Sequence, residues 1–246
     1  MTRLAPVVLI TSAALLRPAA SDAQIKQYPL ESAGGLRLHN VVAAPATLDG
    51  KKGLRLTLTE ETAHLIDDMT PAQRNRANLN WFAAIEGLDF SSGVIDVELA
   101  GAAAPGAFEG ARGFVGIAFR LQKDDRTYDA FYLRPTNGRA EDQERRNHSA
   151  QYISPPAWPW FRLRQETPAK YESYVDLVAG AWTRIKIEVR GERARLYVHG
   201  ADQPTLIVND VKSGPNATGA VALWVDPGTV AHFRNLVVER FAGASR

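Results

Sequence analysis

Cysteine is absent from this 246-residue chain. No disulfide can staple the fold, and no lipobox can anchor it through a lipidated thiol. Histidine is scarce. The five residues, at 39, 64, 148, 199 and 232, show no H-x-H or H-E-x-x-H spacing, which argues against zinc. An excess of one charge is also missing. Lys and Arg number 29 against 27 Asp and Glu, a net +2, too little for a general nucleic-acid binder despite a pI of about 8.9. No glycine-rich phosphate motif follows a strand and opens a helix, so nucleotide chemistry has no support. There is no repeat of 20–50 residues and no Gly/Ser/Pro-rich linker. With 45% apolar residues the chain must stabilise itself through one large core.

The first 23 residues read as a leader. Arg3 supplies a positive start, Leu4 to Leu16 an apolar stretch too short to span a bilayer, and Arg17-Pro18 stops it. Ser21-Asp22-Ala23 places small residues at the −3 and −1 positions of a cleavage site. A signal peptide is expected over 1–23, cut after Ala23. Residues 24–246 are then expected to form a single domain without a membrane span, secreted or periplasmic.

That remainder reads as strands. Leu54 to Leu58, Gly93 to Leu99 and Trp182 to Arg190 alternate apolar and polar residues. Gly191-Glu192 turns the last of these into a hairpin with Arg193 to Val198. Gly113 to Gln122 sends Val115, Ile117, Phe119 and Leu121 inward by period two, leaving Gly116, Ala118 and Arg120 on the other face. Thr127 to Arg134, Ala220 to Val225 and Val230 to Arg240 complete the pattern. Thr62 to Asn80 is the best candidate for a helix or irregular loop. Many short strands at about ten-residue spacing predict an all-β, two-sheet β-sandwich or jelly roll.

The stretches A-W-T-R-I-K-I-E-V-R-G-E-R-A-R-L-Y-V-H-G (181–200) and G-A-V-A-L-W-V-D-P-G-T-V-A-H-F-R-N-L-V-V (219–238) resemble concanavalin A-like lectin/glucanase domains. They are also similar to the domain of unknown function associated with keto-disaccharide hydrolases. The resemblance implies a concanavalin A-like sandwich and carbohydrate or polysaccharide as the ligand class. Glycosidases of this class carry E-x-D-x-x-E or close to it. Here Asp96 and Glu98 share a face, but Val94 stands where the first Glu is expected, which favours a solvated outer face.

Arginine is the compositional oddity: 22 of the 29 cationic residues, nine of them between 112 and 164. Tyrosine, tryptophan, Asn and Gln interleave with them. A guanidinium fork suits carboxylates, sulfates and vicinal hydroxyls, and aromatic rings suit sugar faces. The expected glycan-binding set is Arg120, Tyr132, Arg134, Asn137, Arg139, Arg145, Gln151, Trp158 and Trp160, on a polar sheet face and an adjoining loop. An enzyme is the alternative, a lyase on acidic polysaccharide or a glycoside hydrolase. His148 and Tyr152 would then move protons, and Arg146 would hold an anion. A third class, an envelope interaction protein, would show an exposed apolar patch. No cofactor is expected, with structural calcium left open at Asp124-Asp125; the oligomeric state is not legible.

Overall fold

A computed structural model describes residues 24–70, 73, 77, 79–108 and 110–241. The leader expected over 1–23 lies outside the described residues. Among the described residues, fifteen strands form two antiparallel sheets. The eight-stranded sheet runs β13 (Leu206–Val208), β12 (Arg193–Val198), β11 (Thr183–Arg190), β6 (Gly93–Ala103), β15 (Thr229–Arg240), β4 (Lys51–Leu58) and β3 (Val41–Leu48). Its eighth strand, β1 (Gln24–Tyr28), pairs with residues 236–240 of β15. The seven-stranded sheet runs β10 (Glu172–Ser173), β9 (Ala150–Ile153), β8 (Asp129–Leu133), β7 (Val115–Leu121), β14 (Gly219–Val225), β5 (Phe82–Phe90) and β2 (Leu36–His39). No helix among the described residues is long and apolar enough to cross a membrane.

The core lies between the sheets. Ile95, Val97 and Leu99 of β6 and Ile185, Ile187 and Val189 of β11 are buried at alternate positions. They face Val115, Ile117, Phe119 and Phe131 of the other sheet; the Val115 side chain closes against Gly101 of β6. The β11–β12 hairpin turns at Gly191-Glu192, and the helix expected after Thr62 is short, Glu60–Asp67, capped by the Thr59 hydroxyl. The strands at 24–28, 36–39, 41–48 and 82–90 carry no clean alternation, so their sequence pattern did not mark them. In β5 both faces are buried over Phe82–Ile85, which erases the period of two.

One expectation is corrected by a bulge. Between Ala220 and Ala222 of β14, both neighbouring strands lose register. β7 inserts one extra residue there, and Arg120 takes a left-handed backbone at φ 54. Its side chain therefore turns in between the sheets instead of staying on the outer face with Gly116 and Ala118.

Candidate functional site

The outer face of the seven-stranded sheet aligns one residue from every strand. Following the register, Glu172, Gln151, Tyr132, Gly116, Trp224, Phe82 and His39 form a single row across β10, β9, β8, β7, β14, β5 and β2. Gly116 lets the row close. A Cβ there would lie 2.6 Å from the Tyr132 Cα and Cβ, and the Tyr132 and Trp224 rings meet over it at 4.8 Å. Phe114 stacks on Tyr132 at 5.5 Å, and His39 stacks on Phe82 at 4.8 Å. The Trp224 indole N–H donates to the Tyr128 hydroxyl (3.0 Å), which donates to Asn80 Oδ1 (2.8 Å). Burial pushes the Tyr132 phenol up to about 12, so it stays a neutral donor.

At the β10 end of this row sits a carboxylate with three nitrogen-bearing neighbours. The Glu172 side chain is only 3% exposed. Arg164 bonds both its oxygens through Nε (3.1 and 3.2 Å), His148 Nε2 lies 3.1 Å from Oε2, and an Arg134 nitrogen lies 3.8 Å from Oε1. Arg134 also donates to the Tyr132 hydroxyl (2.9 Å), Gln151 Oε1 (3.1 Å) and the His148 carbonyl (3.0 Å). Pro135 ends β8 and starts a 3-10 turn, which holds Arg134 at the strand's edge. The short helix Trp160–Glu166 lays Trp160 and Arg164, four apart, on one face over the corner. Arg164 stacks on Trp160 at 4.9 Å, and the opposite side of the helix is tied off by an Arg162–Glu166 ion pair.

Two guanidiniums meet one buried carboxylate at this corner, and Asp226 and Glu144 act on Tyr132 and His148 from further off. His148 is 18% exposed on its side chain and Arg164 31%, so the corner reaches solvent while Glu172 does not. Burial holds the His148 imidazole below its ordinary value, with Arg164 and Arg134 adding to the effect and Glu172 opposing it. The ring's Nε2 faces the Glu172 carboxylate, and no hydrogen bond from either ring nitrogen fixes its tautomer among the described residues.

The sequence-nominated residues divide into four groups. Tyr132, Arg134, Gln151, His148 and Trp160 converge on the corner, but Tyr132, Arg134 and Gln151 are buried there and support it from beneath, not as the open polar face expected; Asn137, also buried, donates to the His148 carbonyl (3.4 Å). Arg120 and Tyr152 do not. Arg120 is fully buried and spends its donors on the carbonyls of Ser91, Gly191 and Gly214 and the Ser213 hydroxyl. Tyr152 faces the core, donates to Asp129 (2.6 Å) and accepts from the Lys212 amide (2.8 Å). Arg139, Arg145 and Arg146 lie on the rim. Arg139 is bound by Asp176 through two hydrogen bonds, Arg146 lies over the Tyr174 ring, and Arg145 lies in the short helix Gln143–Asn147. Trp158 is no open stacking platform, because Arg162 (3.9 Å) and Lys212 (4.7 Å) sit over its ring.

Glu172 and Arg164 were missed as site residues. Glu172 sits in a two-residue strand, and no local pattern signals a buried carboxylate there. Asp96 and Glu98 lie on the outer face of the other sheet. Asp96 is engaged by Arg184, and Glu98 by Asn235, Arg234 and Lys51. At the calcium candidate, Asp124 closes its own turn by accepting from Arg126 and Thr127, and Asp125 pairs with Arg37. No group of three potential metal ligands occurs among the described residues.

No family model and no curated protein matches the chain. Solved structures do. A Bacillus subtilis protein described as having a galectin-like fold superimposes with a TM-score of 0.53 at 13% identity, covering 87% of this chain and 94% of that one. Peanut lectin gives 0.52 at 8% identity, covering 92% and 100%. The carbohydrate-binding module CBM66 of Bacillus subtilis gives 0.48 at 12%, covering 82% and 96%. At these identities the likeness concerns the fold alone: the chain has a concanavalin A-like jelly-roll sandwich fold.

Proposed function

We propose that this chain is a carbohydrate-binding, lectin-like sandwich protein, exported from the cytoplasm, that recognises its glycan at the Trp160–Arg164–His148 corner of the seven-stranded sheet. The carrying observation is the convergence on that corner of an aromatic ring, two guanidiniums and an imidazole around a buried carboxylate that fixes their positions. A pre-set fork beside a ring is the arrangement that grips hydroxyls or a carboxylate while covering a sugar's apolar face. The fold shared with a lectin supports the ligand class. The test is a glycan array followed by affinity electrophoresis. Trp160→Ala and Arg164→Ala should each weaken binding roughly tenfold or more, the loss of one charged hydrogen bond or stacked ring. Unchanged affinity in both variants would overturn the site. Export is checked by mass spectrometry of the exported chain, with cleavage after Ala23 expected.

One observation favours a second reading. The Glu172 carboxylate stands 3.1 Å from His148 Nε2, and burial keeps the imidazole free to take up a proton, as a general base requires. On an acidic polysaccharide, Arg164 would neutralise the uronate carboxylate while His148 removes the C5 proton; the C4–O bond then breaks, a C4=C5 bond forms, and the departing oxygen takes its proton from the imidazolium or from water. Unsaturated product should then appear with alginate, pectin or a glycosaminoglycan, and vanish in His148→Ala. Absence of product with all three would leave binding as the function.

A further inference from the structure

The β11–β12 hairpin carries a second concentration of arginine, on the outer face of the eight-stranded sheet and away from the corner described above. A concavity of about 290 Å³ there is lined by Glu188, Arg190, Glu192, Arg193 and Arg195. That is near the small end of ligand sites and suits a single sugar unit with its charged group. We propose that this concavity is an oxyanion-binding site that takes the carboxylate or sulfate groups of an acidic polysaccharide.

The register carries the proposal. Arg190 stands directly opposite Arg193, and Arg195 directly opposite Glu188. Like charges facing each other across a strand pair oppose its formation. Glu188 does not relieve them both, because its carboxylate bonds Arg190 Nε on its own strand at 2.6 Å. Arg193 and Arg195 make no ion pair or side-chain hydrogen bond among the described residues. Two guanidinium forks therefore face solvent with their donors unused, and each fork can hold a carboxylate or sulfate through two hydrogen bonds.

The tip that presents them is held from within the protein. Gly191 adopts φ 58, a backbone glycine alone takes easily. Its carbonyl accepts from buried Arg120 at 2.6 Å, and its amide donates to Ser92 Oγ at 3.1 Å. The Glu192 carbonyl accepts from the Val211 amide at 2.8 Å. A turn pinned at three points loses little freedom when a ligand arrives. Glu188 and Glu192 decide between polymers. In the same concavity they can accept hydroxyls that flank the anionic groups of a polysaccharide, donors that the deoxyribose-phosphate backbone of DNA lacks. This inference is independent of the seven-stranded face.

The experiment uses the intact protein with dextran sulfate, polygalacturonate, uncharged dextran and single-stranded DNA in affinity electrophoresis, at low and at raised salt. Retardation by the two acidic polysaccharides, fading with salt, is expected, with none by dextran. The Arg193→Ala/Arg195→Ala double variant should lose roughly tenfold or more of that affinity. Its thermal midpoint should hold, since both side chains are exposed. Lys52→Ala, which removes an exposed cation from β4 of the same sheet, should leave this binding intact. The proposal falls if the double variant binds like the parent, if Lys52→Ala weakens the retardation as much as the double variant does, or if DNA is retarded while polygalacturonate is not.

Discussion

Arg120 shows how one side chain can serve the opposite purpose from the one its neighbours imply. It belongs to an arginine- and aromatic-rich stretch, yet it ties Ser91, Gly191 and the 213–214 loop together inside the sandwich. Burial lowers its basicity, with Asp129 and Tyr152 opposing that effect. Arg120→Ala should cost about 3–5 kcal/mol in urea unfolding, since it strands several carbonyls and the Asp129 carboxylate. Arg120→Lys should recover little, because an ammonium cannot reproduce the fork. A loss under about 1 kcal/mol would contradict that role. The histidines make a pH prediction. Burial holds both His148 and His232 below the ordinary value, so the unfolded chain binds more protons as pH falls through about 6.5. Stability should therefore drop on acidification from that point down to the two depressed values, and His148→Gln with His232→Gln should flatten the drop. Asp210, held down at about 2 where Lys170, Lys212 and Tyr171 bond it, loses its contribution only at lower pH. Asp129, raised by burial, acts in the opposite sense, so the check is the difference between variants: a pH dependence of the urea midpoint unchanged in the double histidine variant would rule the histidine effect out.

Among the elements of the corner, the helix Trp160–Glu166 is held by a single buried residue. That residue is Leu163, while Trp160 and Arg164 face the site and Phe161 is exposed. Leu163→Ala should cost about 2–5 kcal/mol if the site collapses poorly, and should weaken glycan binding beyond that by loosening both ligand-facing side chains. Hydrogen exchange should show the helix amides opening faster in that variant; unchanged exchange would mean that the loop, not Leu163, holds the helix. The opposed bulges around Val221 illustrate element-scale control of another kind. A register shift in β7 and another in β5 flank the same strand, and the first of them re-aims Arg120. A pattern of alternating residues contains no mark of such a shift.

For the whole molecule, the two ends of the described chain are joined: β1 pairs along residues 236–240 of β15, and β15 also pairs with β4 and β6. Deleting residues 24–28 should leave that edge of β15 unpaired and promote aggregation, seen as a lower thermal midpoint and light scattering on heating. A deletion variant that melts like the parent would show the edge to be covered otherwise. The all-β class and the β11–β12 hairpin were legible in the chain's local pattern, because half-buried strands and tight turns write their period and their glycines locally. The same stretch of sequence pointed to Tyr132, Arg134, His148, Gln151 and Trp160. Which members of the arginine-rich stretch meet was set by strand register. Arg120 and Tyr152 point inward because of a bulge and the strand pairing, and Glu172, the carboxylate that organises the corner, arrives from a two-residue strand beside β9. Such convergence depends on register between strands distant in the chain, which no local pattern encodes.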